Sequence, residues 1–308
     1  MRDRILILGA GGFVGRHLAR ALAQRGERVI AAGRSAFDPA AAGIETQVGE
    51  LRAPQDFLPL LARSRAVVHL ASASTPGSTA AQPLLELEQN LRPTLALLQA
   101  LQEHPATPLL YVSSGGTLYG AQDDRRADES APVSPRSYHG AGKIAAESFI
   151  AAWCSQFRAA ATILRPSNLY GPGQTERAGF GVIPTAFGKI LRGEALHVWG
   201  DGSAMRDYLY IDDFIRLCIA VLDAEPSRGS RVVNACSGAS VSLEALFAEI
   251  ERVTGRRLQR TYDASRAVDA PRVNMDASLA REIYGWMPDT SLHEGLRRTW
   301  EWFGTTRH

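Results

Sequence analysis

Lysine is almost missing from this chain. Of its 308 residues 34 are Lys or Arg, and only Lys143 and Lys189 are lysines, leaving 32 arginines. Against that background a lysine at a chemically meaningful position stands out. A basic excess is missing too: 34 basic against 32 acidic residues leaves a net charge of +2. Without surplus positive charge there is no electrostatic footprint for a phosphate backbone, so no nucleic-acid partner is expected. Cysteine is scarce. Cys154, Cys218 and Cys236 are odd in number and far apart. That excludes a disulfide framework and a cysteine metal spacing, so no metal is expected and the expected compartment is reducing and cytoplasmic. No apolar run approaches the roughly 20 residues of a membrane span. The short run behind Met-Arg-Asp-Arg ends in glycines rather than a cleavage site, so neither a membrane partner nor a signal peptide is expected. Hydrophobic residues at 45% and charged residues at 21% exclude disorder.

What is present is alternation. Short apolar runs at residues 5–8, 28–32, 66–70, 109–113 and 161–164 read as buried strands. Helical patterns occupy 15–25, 84–101 and 137–157, with Pro93 an expected irregularity. Strands alternating with helices imply right-handed crossovers and an α/β fold, a Rossmann-type doubly wound parallel sheet. After about residue 170 the character changes. Helices are expected at 182–192, 212–222, 243–253 and 292–303, and one more strand at 232–236. There is no internal repeat.

Gly9-Ala-Gly-Gly12-Phe-Val-Gly15 lies between the first strand and the first helix. A turn there must be tight, must let a pyrophosphate approach the backbone, and must pack helix on strand. The helix N-terminus then offers unpaired N–H groups to the anion. A nicotinamide dinucleotide is the implied cofactor. After the second strand an acid would bond the adenosine ribose of NAD; this chain has Gly33-Arg34-Ser35 instead. An arginine can pair with a 2′-phosphate, so the choice between NAD and NADP leans to NADP.

Further motifs follow in order: Gly49-Glu-Leu-Arg52, His69-Leu-Ala-Ser72, Tyr111-Val-Ser-Ser-Gly-Gly-Thr-Leu-Tyr-Gly120, Arg165-Pro-Ser-Asn-Leu-Tyr-Gly-Pro-Gly173 and Trp199-Gly-Asp-Gly-Ser-Ala-Met-Arg-Asp-Tyr208. With the glycine turn they make the chain resemble, nearly end to end, the extended short-chain dehydrogenases/reductases of the NAD-dependent epimerase/dehydratase group, which includes UDP-glucose 4-epimerase. The resemblance implies a dinucleotide-binding domain over 1–170, with elements near 209–238 returning to it, and mainly a substrate-binding lobe over 171–308. It implies cofactor contacts from Gly9, Gly12, Phe13, Val14, Gly15, Arg34 and Ser35, from Glu50 and Leu51, from Leu70, Ala71 and Ser72, and from Lys143 and Pro166. It places Asn168, Arg206 and Arg266 (in Arg266-Ala-Val-Asp269) on a nucleotide-diphosphate sugar, a UDP-hexose first. It also implies a homodimer through a four-helix bundle, with which the spacing of Leu84, Leu87, Leu91, Leu95 and Leu98 is compatible, as it equally is with packing on the sheet.

The resemblance also implies a tyrosine base activated by a lysine one helical turn later. This chain reads Ser137-Tyr138-His139-Gly140-Ala141-Gly142-Lys143, with Glu147 in register. The lysine is in place and His139 holds the tyrosine position. Three readings follow. His139 is the proton-transfer group; or Tyr138 reaches the site through a helix distortion at Gly140 and Gly142; or oxidoreduction is weakened. A second departure puts Gly115 where the family carries a serine or threonine. Thr117, and next Ser114, are then the candidate hydroxyls. No acid pair for dehydration follows. The expected activity is 4-epimerisation by a sugar-nucleotide oxidoreductase. The alternatives are an NADPH-dependent 4-keto-sugar reductase and a binding protein without redox chemistry.

Overall fold

The computed structural model describes residues 2–35, 42–75, 81–120, 125–176, 180–266 and 270–305. The end of the Arg266-Ala-Val-Asp269 motif lies outside them. Seven strands build the main sheet: β1 (Arg4–Leu8), β2 (Arg28–Gly33), β3 (Ile44–Val48), β4 (Ser64–His69), β5 (Leu109–Val112), β6 (Ala160–Pro166) and β10 (Gly229–Ala235). Their order is β10-β6-β5-β4-β1-β2-β3, and every pairing is parallel. This is the expected Rossmann-type doubly wound sheet.

Period-two alternation explains why these strands read as continuous apolar runs. Ile5, Ile7, Val29, Ala31 and Val68 enter one hydrophobic cluster, while Leu6, Leu8, Ile30, Ala32 and Val67 enter another. Each sheet face needs its own apolar set, so consecutive positions are all apolar. Helices α1 (Phe13–Gln24) and α8 (Ile211–Asp223) supply residues to the first cluster. Helices α2 (Pro54–Leu61), α4 (Arg92–Leu101) and α6 (Tyr138–Phe157) supply the second.

The single helix expected over 84–101 is three pieces: α3 (Pro83–Glu86), a π-helical turn (Leu87–Leu91) and α4. The irregularity falls where Pro93, having no N–H, cannot donate to the carbonyl four residues back. The leucine stripe divides accordingly. Leu84 and Leu87 are exposed, whereas Leu98 is buried in the second cluster.

After β6 come β7 (Asn168–Tyr170), α7 (Val182–Arg192), β8 (Leu196–Trp199) and β9 (Met205–Tyr210). Beyond β10 follow β11 (Ser240–Ser242), α9 (Leu243–Thr254), β12 (Arg260–Asp263), α10 (Ser278–Tyr284) and α11 (Leu292–Thr305). Strand β9 pairs parallel with β7 and antiparallel with β11, and β8 pairs parallel with β12. Among the described residues no helix is long and apolar enough to cross a membrane, and no metal-ligand cluster exists.

The strand order reverses between β1 and β4. In open α/β sheets that reversal opens a crevice at the carboxyl ends of the strands. Gly9 leaves β1 and Ala71 follows β4, so two of the expected cofactor positions meet there.

Candidate active site

The glycine turn is shaped by close approach. Gly9 has φ +84°, and a Cβ on it would lie 2.7 Å from the Ala71 nitrogen. A Cβ on Gly15 would collide with the Gly9 carbonyl and with Ala10. Gly12 is the N-cap of α1, with no side-chain cap and no acid in the first turn. The N–H groups of the first turn, which begins at Phe13 and Val14, therefore lack an internal partner and face the crevice as anion donors. The residues present fit a dinucleotide pyrophosphate.

The other expected cofactor residues follow the strand ends. Arg34 and Ser35 are exposed after β2, and Glu50 follows β3. The Gly49 amide bonds the Gly33 carbonyl at 3.0 Å, which sets Arg34 and Glu50 side by side. Glu50 pairs with Arg52 at 2.8 Å, and Leu51 packs on the second hydrophobic cluster. The Leu70 amide bonds the Leu8 carbonyl, the Ser72 hydroxyl bonds the Ser74 carbonyl, and Pro166 ends β6.

Helix α6 carries His139 and Lys143 in its first two turns. Ser137 caps it by accepting from the Gly140 amide at 3.1 Å. His139 and Lys143, four residues apart, are each 7% exposed, whereas Tyr138 is 43% exposed. The helix is regular from Tyr138 onward, which removes the expectation that a distortion brings Tyr138 inward. The glycines have another use. A Cβ on Gly140 would lie 2.9 Å from the Thr117 carbonyl, and one on Gly142 would lie 2.8 Å from Glu86 Oε1. They let α6 lie close to both neighbours.

Lys143 Nζ donates to the Val112 carbonyl at 2.9 Å and sits 4.8 Å from the centre of the Tyr111 ring. Burial pulls its pKa down to about 8, against the opposing charges of Glu86 and Glu147. Burial, and then the Lys143 charge, hold the His139 imidazole down at about 3, so it rests neutral. His139 Nδ1 lies 2.9 Å from Ser74 Oγ. Ser74 in turn meets Glu86 and Asn90. The sequence reading missed these three residues. A local signal existed in Glu86 and Asn90, polar positions four apart in an apolar helical run, but none pointed to Ser74.

The short helix α5 (Gly115–Leu118) carries the candidate hydroxyls, with Thr117 Oγ1 donating to Ser114 Oγ at 2.9 Å. The missing side chain at Gly115 is replaced from far along the chain. A Cβ there would meet the Met275 Cε and Sδ, and Met275 is fully buried. Gly115→Ser is therefore expected to destabilise by about 1–3 kcal/mol through overpacking. In urea unfolding, Gly115→Ser/Met275→Ala should cost less than the two single changes added together.

Of the expected substrate residues, Asn168 donates from β7 to the Asp207 carbonyl at 2.9 Å. Arg206 on β9 donates to the Met205 carbonyl, and the Arg266 guanidinium lies 5.3 Å from the centre of the Trp199 ring. The structure thus gathers His139, Lys143, Ser114 and Thr117 around the α5–α6 junction, with Asn168 and Arg206 on the adjoining β7–β9 pair.

A doubly wound sheet, a glycine turn at its switch point and a buried lysine on α6 bonded to the end of β5 are the features of an extended short-chain dehydrogenase/reductase. The chain belongs to the NAD dependent epimerase/dehydratase family, whose model matches residues 5–236. The UDP-glucose 4-epimerase of Mycolicibacterium smegmatis is 28% identical over 310 residues, covering 97% of this chain and 98% of that one. The crystal structure of a Thermotoga maritima UDP-glucose 4-epimerase with UDP-glucose aligns at TM-score 0.93 and 26% identity, over 99% and 100% of the two chains. MoeE5 in complex with UDP-glucuronic acid and NAD aligns at TM-score 0.90 and 27% identity, over 98% and 99%.

Proposed function

We propose that this protein is a UDP-hexose 4-epimerase that uses His139 where its family resemblance calls for tyrosine. The carrying observation is the burial of a neutral His139 one helical turn from Lys143, in a fold whose glycine turn fits a dinucleotide. Likeness over nearly the full chain to the M. smegmatis and T. maritima 4-epimerases supports the substrate class.

Nicotinamide, when bound, supplies the acceptor and donor of the hydride at the sugar carbon. The protein supplies the rest. Gly9, Gly12 and Gly15, with the Phe13 and Val14 amides, receive the pyrophosphate. Leu70, Ala71, Ser72 and Pro166 line its path. Lys143 holds the nicotinamide ribose, and Glu50 with Leu51 reaches the adenine. Arg206 and Arg266 hold the substrate diphosphate, for which a planar guanidinium is suited, and Asn168 also bonds the substrate. Thr117, with Ser114 behind it, hydrogen-bonds the reacting hydroxyl. His139 takes that hydroxyl's proton and returns it on the opposite epimer.

In this reading residues 1–170, with the returning stretch near 209–238, hold the cofactor. Residues 171–308 mainly form the substrate lobe. The exposed Leu84 and Leu87 belong to a homodimer interface, and the enzyme works in the cytoplasm. Arg34 and Ser35 meet the adenosine ribose, and Arg34 favours NADP, although MoeE5 was solved with NAD.

Incubation with UDP-glucose is expected to yield UDP-galactose, detected by NMR. Binding of UDP-glucose with no epimer formed would instead establish the redox-free binding protein. Titration of both cofactors is expected to give tighter NADP, and tighter NAD would remove the role of Arg34.

A further inference from the structure

A set of polar side chains reaches the His139 ring from the loop after β4, from α3 and from the π-helical turn. Its hydrogen positions can be worked out from the donors available. Asn90 Oδ1 accepts from the Ala73 amide at 2.7 Å, which makes Nδ2 the outward-facing donor of that amide. Nδ2 then donates to Glu86 Oε1 at 2.9 Å and to Ser74 Oγ at 2.8 Å. The Ser74 hydroxyl has one hydrogen, and Glu86 Oε2, 2.5 Å away, receives it. Towards His139 the Ser74 oxygen can only accept. The hydrogen in that 2.9 Å contact must therefore sit on His139 Nδ1.

A neutral imidazole has one N–H, so Nε2 is bare. Nε2 has no hydrogen-bond partner among the described residues. Nor is it one of the sealed, unpartnered side-chain atoms, which among the described residues are Arg63 Nε, His69 Nδ1, Trp153 Nε1 and Gln174 Oε1. Among the described residues it is therefore neither hydrogen-bonded nor sealed.

We infer that Ser74, Glu86 and Asn90 are positioning residues that lock His139 as the Nδ1–H tautomer and make Nε2 the atom that takes the substrate proton. This rests on the reading of His139 as the proton-transfer group. In the forward step the substrate O–H bond breaks and an Nε2–H bond forms; in the return step the same proton goes back to oxygen. Between the two, the imidazolium carries an N–H on each side, and its Nδ1–H points along Ser74 towards the Glu86 carboxylate. A base oriented by a second group that is itself held by a carboxylate is a recurrent solution in nucleophilic and general-base sites. Here the serine is interposed, and Lys143 remains the cationic neighbour on the same helix face. Gly142 belongs to the device, because any side chain there would occupy the place of the Glu86 carboxylate.

The tautomer can be read in the free protein. With ¹⁵N-histidine labelling, long-range ¹⁵N–¹H correlation is expected to show His139 as Nδ1–H, its signal identified by loss in His139→Gln. Glu86→Gln and Ser74→Ala are each expected to populate the Nε2–H form. Each should also lower kcat about 10²-fold while KM changes less than about threefold. An Nε2–H wild type overturns the inference, as do two variants that keep both the wild-type tautomer and the wild-type kcat. If either variant fails to fold, the wild-type spectrum alone decides. An Nδ1–H protein that forms no epimer keeps the lock and overturns the epimerase reading; a competent epimerase with an Nε2–H ring does the reverse.

Discussion

His139→Ala is expected to lower kcat with a UDP-hexose by about 10²- to 10⁴-fold, the range contributed by a positioned acid–base group. KM should change little, because Arg206 and Arg266, the arginines proposed to bind the diphosphate, are untouched. His139→Tyr restores the resemblance's phenol next to Lys143 and should recover part of the loss. Full activity in the alanine variant would remove His139 from the reaction. The wild-type pH profile adds an independent check. Since His139 is held down at about 3, its protonation gives no acid limb between pH 5 and 8. Lys143, pulled down to about 8, is charged below that pH and neutral above it. The loss of kcat/KM is therefore expected on the alkaline side, near pH 8, and a limb near pH 6.5 would mean that His139 titrates as an exposed imidazole.

Removing Glu147 should give a large stability loss. Arg165 and Glu147 are both buried and doubly bonded, Nε to Oε1 at 3.1 Å and Nη2 to Oε2 at 2.6 Å. Burial alone would pull the Arg165 pKa down, but the hydrogen bonds and charge of Glu147 hold it above its usual value. Ser113 also donates to Glu147, while Arg165 donates onward to the Tyr119 hydroxyl, which bonds Asn234. Glu147→Ala leaves a guanidinium uncompensated in the interior, and breaking such a pair costs about 3–5 kcal/mol. The double variant Glu147→Ala/Arg165→Met removes the stranded charge and should recover a substantial part. Urea unfolding measures both. A double variant as unstable as the sum of the singles would show that packing, not charge, dominates.

Legibility in the sequence followed the range of the forces involved. Strands β1, β4 and β5 were readable because both faces of each are buried, so their residues are apolar throughout. Strand β3 was not, because Glu45 and Gln47 interrupt its apolar run at the sheet edge, and β11 and β12 are short and mostly polar. The Gly9–Gly15 turn and the His139–Lys143 pair were visible because their spacing is local. The Ser74–Glu86–Asn90 set was not, because it joins three segments through a loop, a short helix and a π-helical turn that no periodicity predicts. Met275 filling the space at Gly115 was equally hidden, since the two lie 160 positions apart. The alternative in which Gly140 and Gly142 distort the helix fails on contacts that are equally hidden in the sequence. Their lack of side chains accommodates neighbouring segments and does not bend the helix.

Two side-chain amines in the whole chain make an unusually quiet background for amine-labelling reagents. Lys189 is tied to Glu194 at 2.8 Å on the surface, and Lys143 lies buried with a pKa of about 8. Mild reductive methylation at pH 8, followed by peptide mass mapping, would thus report on two side-chain addresses, besides the α-amino group. The change in labelling at Lys143 when a dinucleotide is added becomes a direct gauge of occupancy, with Lys189 as the internal standard.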